Sequence, residues 1–356
     1  MRQFQLLNLN NENHENINWN RYRYNFSIED FIKKTSTRII RRKINLVKNE
    51  SFFTINPIIS KYPYSTYTNL SLSSIMSSHA NNLQDINRLN KKTLVLSIEH
   101  NKNYGHILFE VLPLLFYFSD LDKNYSNIIT CETDLLMNII KDLDINLSDK
   151  IKFIKNDYKF ICEDVTFLYT SPGNGSIRDF KLIKNFKNKI DSTNTEKTIK
   201  NKIIYCVRSA KATRHGRRMN EKNEKKIIEI LQNFCVRNNQ YDLVIFDSLN
   251  ENGTTLTARQ QLELFQSAKI IIGPHGTAMY NSIFAKDKVM ICEFTGGFDG
   301  INGDSSFKNF DRTVLYDLYA LKDKINYYCI PYISDSYIHD SIIDTKDLEY
   351  FLSLIN

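Results

Sequence analysis

The segment NYGHILFEVLP, residues 103–113, places His106 and Glu110 four positions apart in an apolar helical pattern, so both side chains share one helix face. Imidazole titrates near neutrality, and a carboxylate one turn away can hold one ring nitrogen while the other takes a proton, as a general base requires. A core histidine satisfied by a local carboxylate has the same spacing. A second segment, VRSAKATRHGRRMNEKNE at 207–224, carries Arg208, Arg214, Arg217 and Arg218 between an apolar strand and a helix that Asn220 could cap. Guanidinium groups match phosphate oxygens in bidentate geometry, so this cluster at one βα turn suits a diphosphate; a solvated basic loop has the same composition.

The third segment, IIGPHGTAMYNSIF at 271–284, ends a buried strand at Gly273 and starts an amphipathic helix at Gly276. The first N–H groups of that helix, around Thr277 and Ala278, lack internal acceptors and form a site for an anion, phosphate above all. No Lys-Ser/Thr follows and the spacing is not GxGxxG, so this is neither a P-loop nor a dinucleotide fingerprint. His275 would donate to a phosphate or ribose oxygen of a nucleotide, unless the turn is simply tight and its histidine solvated. The pairs Asp120/Asp122 and Asp142/Asp144 invite a metal, but each closes an apolar helix, where polar residues serve as a solvated end. His100, His106 and His275 lack the close spacing of zinc ligands, and no metal is expected. Cys131, Cys162, Cys206, Cys235, Cys292 and Cys329 are spread singly and read as reduced core residues.

These segments need a scaffold that brings strand ends together. Strand and helix patterns alternate from Lys92: TLVLSI at 93–98, a helix at 103–118 that Pro113 should kink, NIITC at 127–131, a helix at 133–143, IKFI at 151–154 and DVTFLY at 164–169. Residues 184–201 are rich in Lys and Asn and read as a domain boundary. A second alternation follows, with strands at 202–207, 242–247, 269–273 and 288–294 and helices at 220–235, 257–268 and 276–285. Both imply largely parallel sheets covered by helices, and ligands bind such sheets beyond the strands' carboxyl ends. Residues 1–90 hold short strand-like pieces, Phe52–Ile55 among them, and no clear helical period.

The 356 residues are long for one core, which favours two domains in tandem with a cleft between them. A composition of 42% hydrophobic and 24% charged residues is that of a globular chain. No apolar run approaches membrane length and the N-terminal MRQFQLLNLNNENHENINWN reads as too polar for a signal peptide, so the expected location is the cytoplasm. The net charge of +7 suits an anionic small molecule or a peripheral membrane contact, and with no basic-aromatic motif it does not argue for nucleic acid.

Taken together, the three segments resemble the inverting glycosyltransferases of family sixty-one. Asn103, His106, Glu110 and Leu112-Pro113 match that family's Asn-(aromatic)-x-His-(apolar)-Leu-x-Glu-x-Leu-Pro segment; Arg208, the following arginines and Asn220-Glu221 match its Arg…Arg…Asn-Glu segment. Gly273, His275, Gly276, Asn281 and Glu293 match its longest signature, a Gly-x-His-Gly turn followed by an Asn and a strand ending in Glu. The family's usual Trp after the first His and Arg after Leu-Pro are replaced by Ile107 and Leu114, which bears on the acceptor.

The resemblance implies an α/β fold of GT-B type, two Rossmann-like lobes facing a central cleft. Residues 1–90 would pack on the first lobe, 91–195 form the acceptor lobe, and 200–356 form the nucleotide-sugar lobe with a C-terminal tail. It also implies transfer from a nucleotide-diphospho-sugar, a UDP-sugar, to a hydroxyl of a glycan, lipid or protein, without a metal or other cofactor. His106 with Glu110 would supply the base. Arg208, Arg214 or Arg217, Gly276 and Thr277 would stabilise the leaving diphosphate. His275, Asn281 and Glu293 would complete the donor site, Glu293 accepting from ribose hydroxyls. A non-catalytic nucleotide-sugar binder is the alternative.

Overall fold

Strands form where β-branched and aromatic residues run between polar turns, and helices where apolar residues recur every three or four positions. The computed structural model describes residues 41–43, 52–55, 87–89, 91–97, 103–121, 124–154, 158–162, 164–169, 180–193, 199–208, 219–250, 252–295, 321, 325–332 and 340–355. Arg214, Arg217, Arg218, His100, Asp122 and most of 1–90 lie outside them. Contacts divide the chain into two units, one ending at Phe186 and one running Lys187–Asn356.

The first unit contains β1 (Arg41–Lys43), β2 (Phe52–Ile55), β3 (Asn87–Leu89) and β4 (Thr93–Ser97). Helix α1 follows over 104–121, then β5 (Asn127–Cys131), α2 (Asp134–Asp142), β6 (Ile151–Ile154), β7 (Tyr158–Cys162) and β8 (Asp164–Tyr169). Its main sheet has the order β1-β8-β4-β5-β6, parallel except for β1. The chain steps from β4 outward to β5 and β6 and returns to β8 on the other side of β4, so the strand order reverses between β4 and β8. A smaller sheet, β2-β7-β3, was not legible beyond the Phe52–Ile55 strand.

Helix α1 departs from a simple kink. It begins as an α-turn, Tyr104–His106, widens to π over Ile107–Val111, returns to α over Leu112–Phe116 and widens again over Tyr117–Leu121. The Leu112 N–H bonds the Ile107 carbonyl, one residue further back than an α-helix requires. Pro113 donates no N–H and its ring would crowd a carbonyl of the preceding turn, and π-widening there relieves both demands.

Helix α3 (Phe180–Thr193) runs across the division at 186/187, where no helix was expected. Its Lys and Asn content hides an apolar stripe of buried Leu182, Ile183, Phe186 and Ile190, spaced at a helical period.

The second unit contains β9 (Lys202–Cys206), α4 (Glu221–Arg237), β10 (Asp242–Phe246), α5 (Ala258–Gln266) and β11 (Ala268–Pro274). The 3₁₀ helix η1 (Thr277–Phe284), β12 (Val289–Thr295), β13 (Ile325–Pro331) and α6 (Thr345–Ser353) complete it. The sheet is parallel throughout in the order β10-β9-β11-β12-β13. This is the 2-1-3-4-5 order of doubly wound folds, and its switch point lies between β9 and β11. One face, with Ile203, Tyr205, Ile270, Ile272, Phe294 and Tyr328, clusters with Ile227, Leu231 and Phe234 of α4 and Leu348 and Phe351 of α6. By the pleat, Ile204, Ile271 and Glu293 point to the other face. β13 and α6 follow the last strand expected from sequence and both contribute to this core.

Candidate active site

At the switch point of the second sheet, Arg208 leaves the end of β9 and meets the turn that ends β11. Its guanidinium donates from Nη1 to the His275 carbonyl. A Cβ on Gly276 would lie 3.3 Å from the Arg208 Cζ, so the missing side chain lets the guanidinium close on the turn. Gly273 has a sharper need. Its φ is +157°, and a Cβ there would sit 2.5 Å from the Cys206 carbonyl oxygen of β9. Close passage of β11 over β9 is what brings Arg208 and His275 together.

His275 is fixed from several directions. Its N–H donates to the Phe294 carbonyl at 2.7 Å, and its ring meets Tyr280 edge-on. Nδ1 lies 2.6 Å from Oε1 of Glu293, while Oε2 of Glu293 accepts from the Tyr327 hydroxyl. The His275 side chain is 26% exposed and Glu293 0%, so the carboxylate is reached only through its neighbours. Glu293, expected to accept from ribose hydroxyls, has one oxygen on His275 and the other on Tyr327.

Helix η1 is 3₁₀ rather than the amphipathic α-helix expected from Gly276, with the Met279 N–H bonding the Gly276 carbonyl at 3.0 Å and the Ala285 N–H the Ser282 carbonyl at 3.1 Å. The N–H groups of Thr277 and Ala278 precede the first such bond, and Thr277 is exposed. Asn281 is buried and donates to Gln261 Oε1 at 2.8 Å and to the Ala278 carbonyl at 3.2 Å. Its amide ties η1 to α5.

The first unit holds a second histidine–carboxylate pair. Asn103 caps α1, its Oδ1 accepting from Gly105 N–H at 3.0 Å and His106 N–H at 3.4 Å, and so sets where His106 enters the helix. Nδ1 of His106 bonds Oε1 of Glu110, with 23% of the histidine side chain and 1% of the carboxylate exposed. Nearby, burial and then the Asp142 carboxylate push the Tyr104 phenol well above its ordinary range. Asp142 ends α2 and Asp144 adopts a left-handed φ of +52°, the geometry of a helix terminus. Among the described residues no three His, Cys, Asp or Glu side chains gather as a metal site.

Compared with known families, residues 104–292 match Glycosyltransferase 61 over just over half of the chain. The chain belongs to glycosyltransferase family 61. No curated protein matches it. The family segment runs from the residue before Gly105-His106 to the residue before Glu293, so both histidines lie within it and Glu293 and Tyr327 beyond it. The structure brings Arg208, His275, Gly276 and Glu293 of this family 61 chain together, and separately His106 and Glu110. Tyr327 was not found from sequence, because INYYCIP reads as an apolar strand and only the register of β12 on β13 turns that phenol to Glu293. Among the described residues, no helix is long and apolar enough to cross a membrane. Cys131, Cys206, Cys235 and Cys292 are free thiols; burial raises Cys131 to about 11 and Cys206 further, which leaves both unreactive.

Proposed function

We propose that this family 61 glycosyltransferase is inverting, of GT-B type and independent of metal, and that it takes its sugar from a UDP-linked donor. The observation that carries the reading is the set Arg208–His275–Gly276 at the carboxyl ends of β9 and β11, the switch point where open parallel sheets bind nucleotides. Arg208 and the N–H groups of Thr277 and Ala278 would take the charge that grows on the diphosphate as the anomeric C–O bond breaks. His275 would meet the donor's phosphate or ribose, with Glu293 holding its ring.

The first unit would serve the acceptor, a hydroxyl of a glycan, lipid or protein. That hydroxyl oxygen forms the new bond to the anomeric carbon on the side opposite the departing diphosphate. Its proton passes to His106, whose Nδ1 donates to Glu110 and whose lone pair therefore lies on Nε2. The positive net charge agrees with an anionic donor and with a peripheral membrane contact, and the protein would act in the cytoplasm.

A thermal-shift panel of UDP-, GDP-, CMP- and dTDP-sugars tests the donor assignment. A ligand at about 100 times its dissociation constant adds about 2.7 kcal/mol to stability. Stabilisation by UDP-sugars in the presence of EDTA is expected; preference for another nucleotide, or a strict need for Mn²⁺ or Mg²⁺, would overturn the reading.

A further inference from the structure

We propose that His275 reads a ribose hydroxyl of the donor nucleotide through Nε2, and that Tyr327, acting through Glu293, is the positioning residue that holds the ring for this. The inference rests on the placement of the donor at the β9–β11 switch point. The expected acceptor of the ribose, Glu293, is 0% exposed and its oxygens face His275 Nδ1 and the Tyr327 hydroxyl. A carboxylate donates nothing, so both neighbours must donate to it. Nδ1 then carries the proton, and the lone pair of the neutral ring falls on Nε2, across the ring from the buried carboxylate. An acceptor at that position suits a sugar hydroxyl, while the phosphates fall to Arg208, whose guanidinium adjoins the same turn.

The surroundings leave the ring torsion as what remains to be fixed. The His275 N–H is held by the Phe294 carbonyl and its C=O by Arg208. Tyr327 stands opposite Ile291 in the β12–β13 register, two positions before the partner of Glu293, and its phenol reaches along the face to Oε2. It is fully buried, where phenylalanine would supply the same apolar packing without a hydroxyl to satisfy. The hydroxyl anchors the far oxygen of Glu293, and the near oxygen then holds the imidazole, as a buried carboxylate does in hydrolase triads.

The test compares UDP with 2′,3′-dideoxy-UDP on the full chain, with the His275 ring nitrogens followed by ¹⁵N NMR and assigned with His275→Ala. The wild-type protein should show Nδ1 protonated and bind UDP about tenfold more tightly than the dideoxy compound, the upper end for one neutral hydrogen bond. In Tyr327→Phe, packing is kept and Nδ1 should stay protonated against the carboxylate, but with Glu293 no longer anchored the preference for UDP should shrink toward one. Glu293→Gln provides a second variant should the first fail to fold: its amide N–H₂ can donate to Nδ1 and shift the proton to Nε2. Equal binding of UDP and dideoxy-UDP by the wild type overturns the ribose assignment. An unchanged preference for UDP in whichever of the two variants folds overturns the positioning role of Tyr327 through Glu293. Failure of the donor reading itself looks different, since His275→Ala and Arg208→Ala would then bind UDP as the wild type does.

Discussion

In the unit ending at Phe186, a histidine and its carboxylate lie one turn apart on a single helix, whereas in Lys187–Asn356 the corresponding pair lies 18 residues apart, one partner in the turn after β11 and the other in β12. Both carboxylates are buried, both bond Nδ1, and both histidines are about a quarter exposed. The first pair is a local product of helix periodicity, tuned by the Asn103 cap and the π-widening before Pro113. The second depends on register: a one-residue slip of β12 would turn Glu293 to the opposite face and break it. Equivalent hydrogen bonding can therefore arise with very different dependence on the rest of the fold.

The comparison also divides the expected chemistry, and substitution should separate the parts. His106→Ala should lower transfer by about 10² to 10⁴ with UDP binding intact, the range for loss of a general base. Transfer within about tenfold of wild type would remove His106 from that role, and loss of UDP binding would merge the two pairs into one donor site. Arg208→Ala comes next. An expected loss of about 3 kcal/mol in kcat/KM, roughly a hundredfold, reflects a diphosphate contact that strengthens in the transition state; an unaffected enzyme would separate Arg208 from the donor.

Register dependence has its own probe. Gly273→Ala forces a Cβ toward the Cys206 carbonyl at a φ suited to glycine and should destabilise the protein by about 1–3 kcal/mol, visible as a lower thermal midpoint and weakened UDP binding. The ¹⁵N signals of His106 should not move. A shift there would mean that the helix-borne pair is not locally determined.

The smallest effect concerns a third carboxylate, Glu224, which is half-buried and accepts from the Tyr205 hydroxyl at 3.2 Å without a histidine partner. Burial raises its pKa from the ordinary 4.5, and the Tyr205 bond opposes the rise only in part. A carboxyl raised in the folded state favours folding at low pH and loses that contribution as pH climbs through the raised value. Glu224→Gln should thus raise the thermal midpoint slightly at neutral pH, with the gain vanishing in acid. A midpoint difference that grows toward acid would reverse the assignment.

Much of this was legible in the chain. Strands β5, β6 and β8 carry the boundaries expected of NIITC, IKFI and DVTFLY, and Asn220 and Thr257 cap their helices as such residues do. The His106–Glu110 pair follows from spacing alone. Helix α3 was hidden by its lysines and asparagines, and β13 and α6 lie beyond the three segments that carry the motifs.

What sequence determined by itself is what depends on near neighbours: alternation of strands and helices, the caps, the helix-borne histidine pair, and family membership through motifs of residue type and spacing. What only the tertiary structure decided is what depends on register between distant strands. Close approach of β11 to β9 sets Arg208 on the His275 turn, and the pairing of β12 with β11 and β13 buries Glu293 between His275 and Tyr327. A carboxylate at the end of a strand reads as available to a ligand until the fold shows that its lone pairs point inward. The difference lies in period: side-chain direction along a strand repeats every two residues, so sequence gives the alternation, but which neighbour a side chain meets is settled only when the strands align.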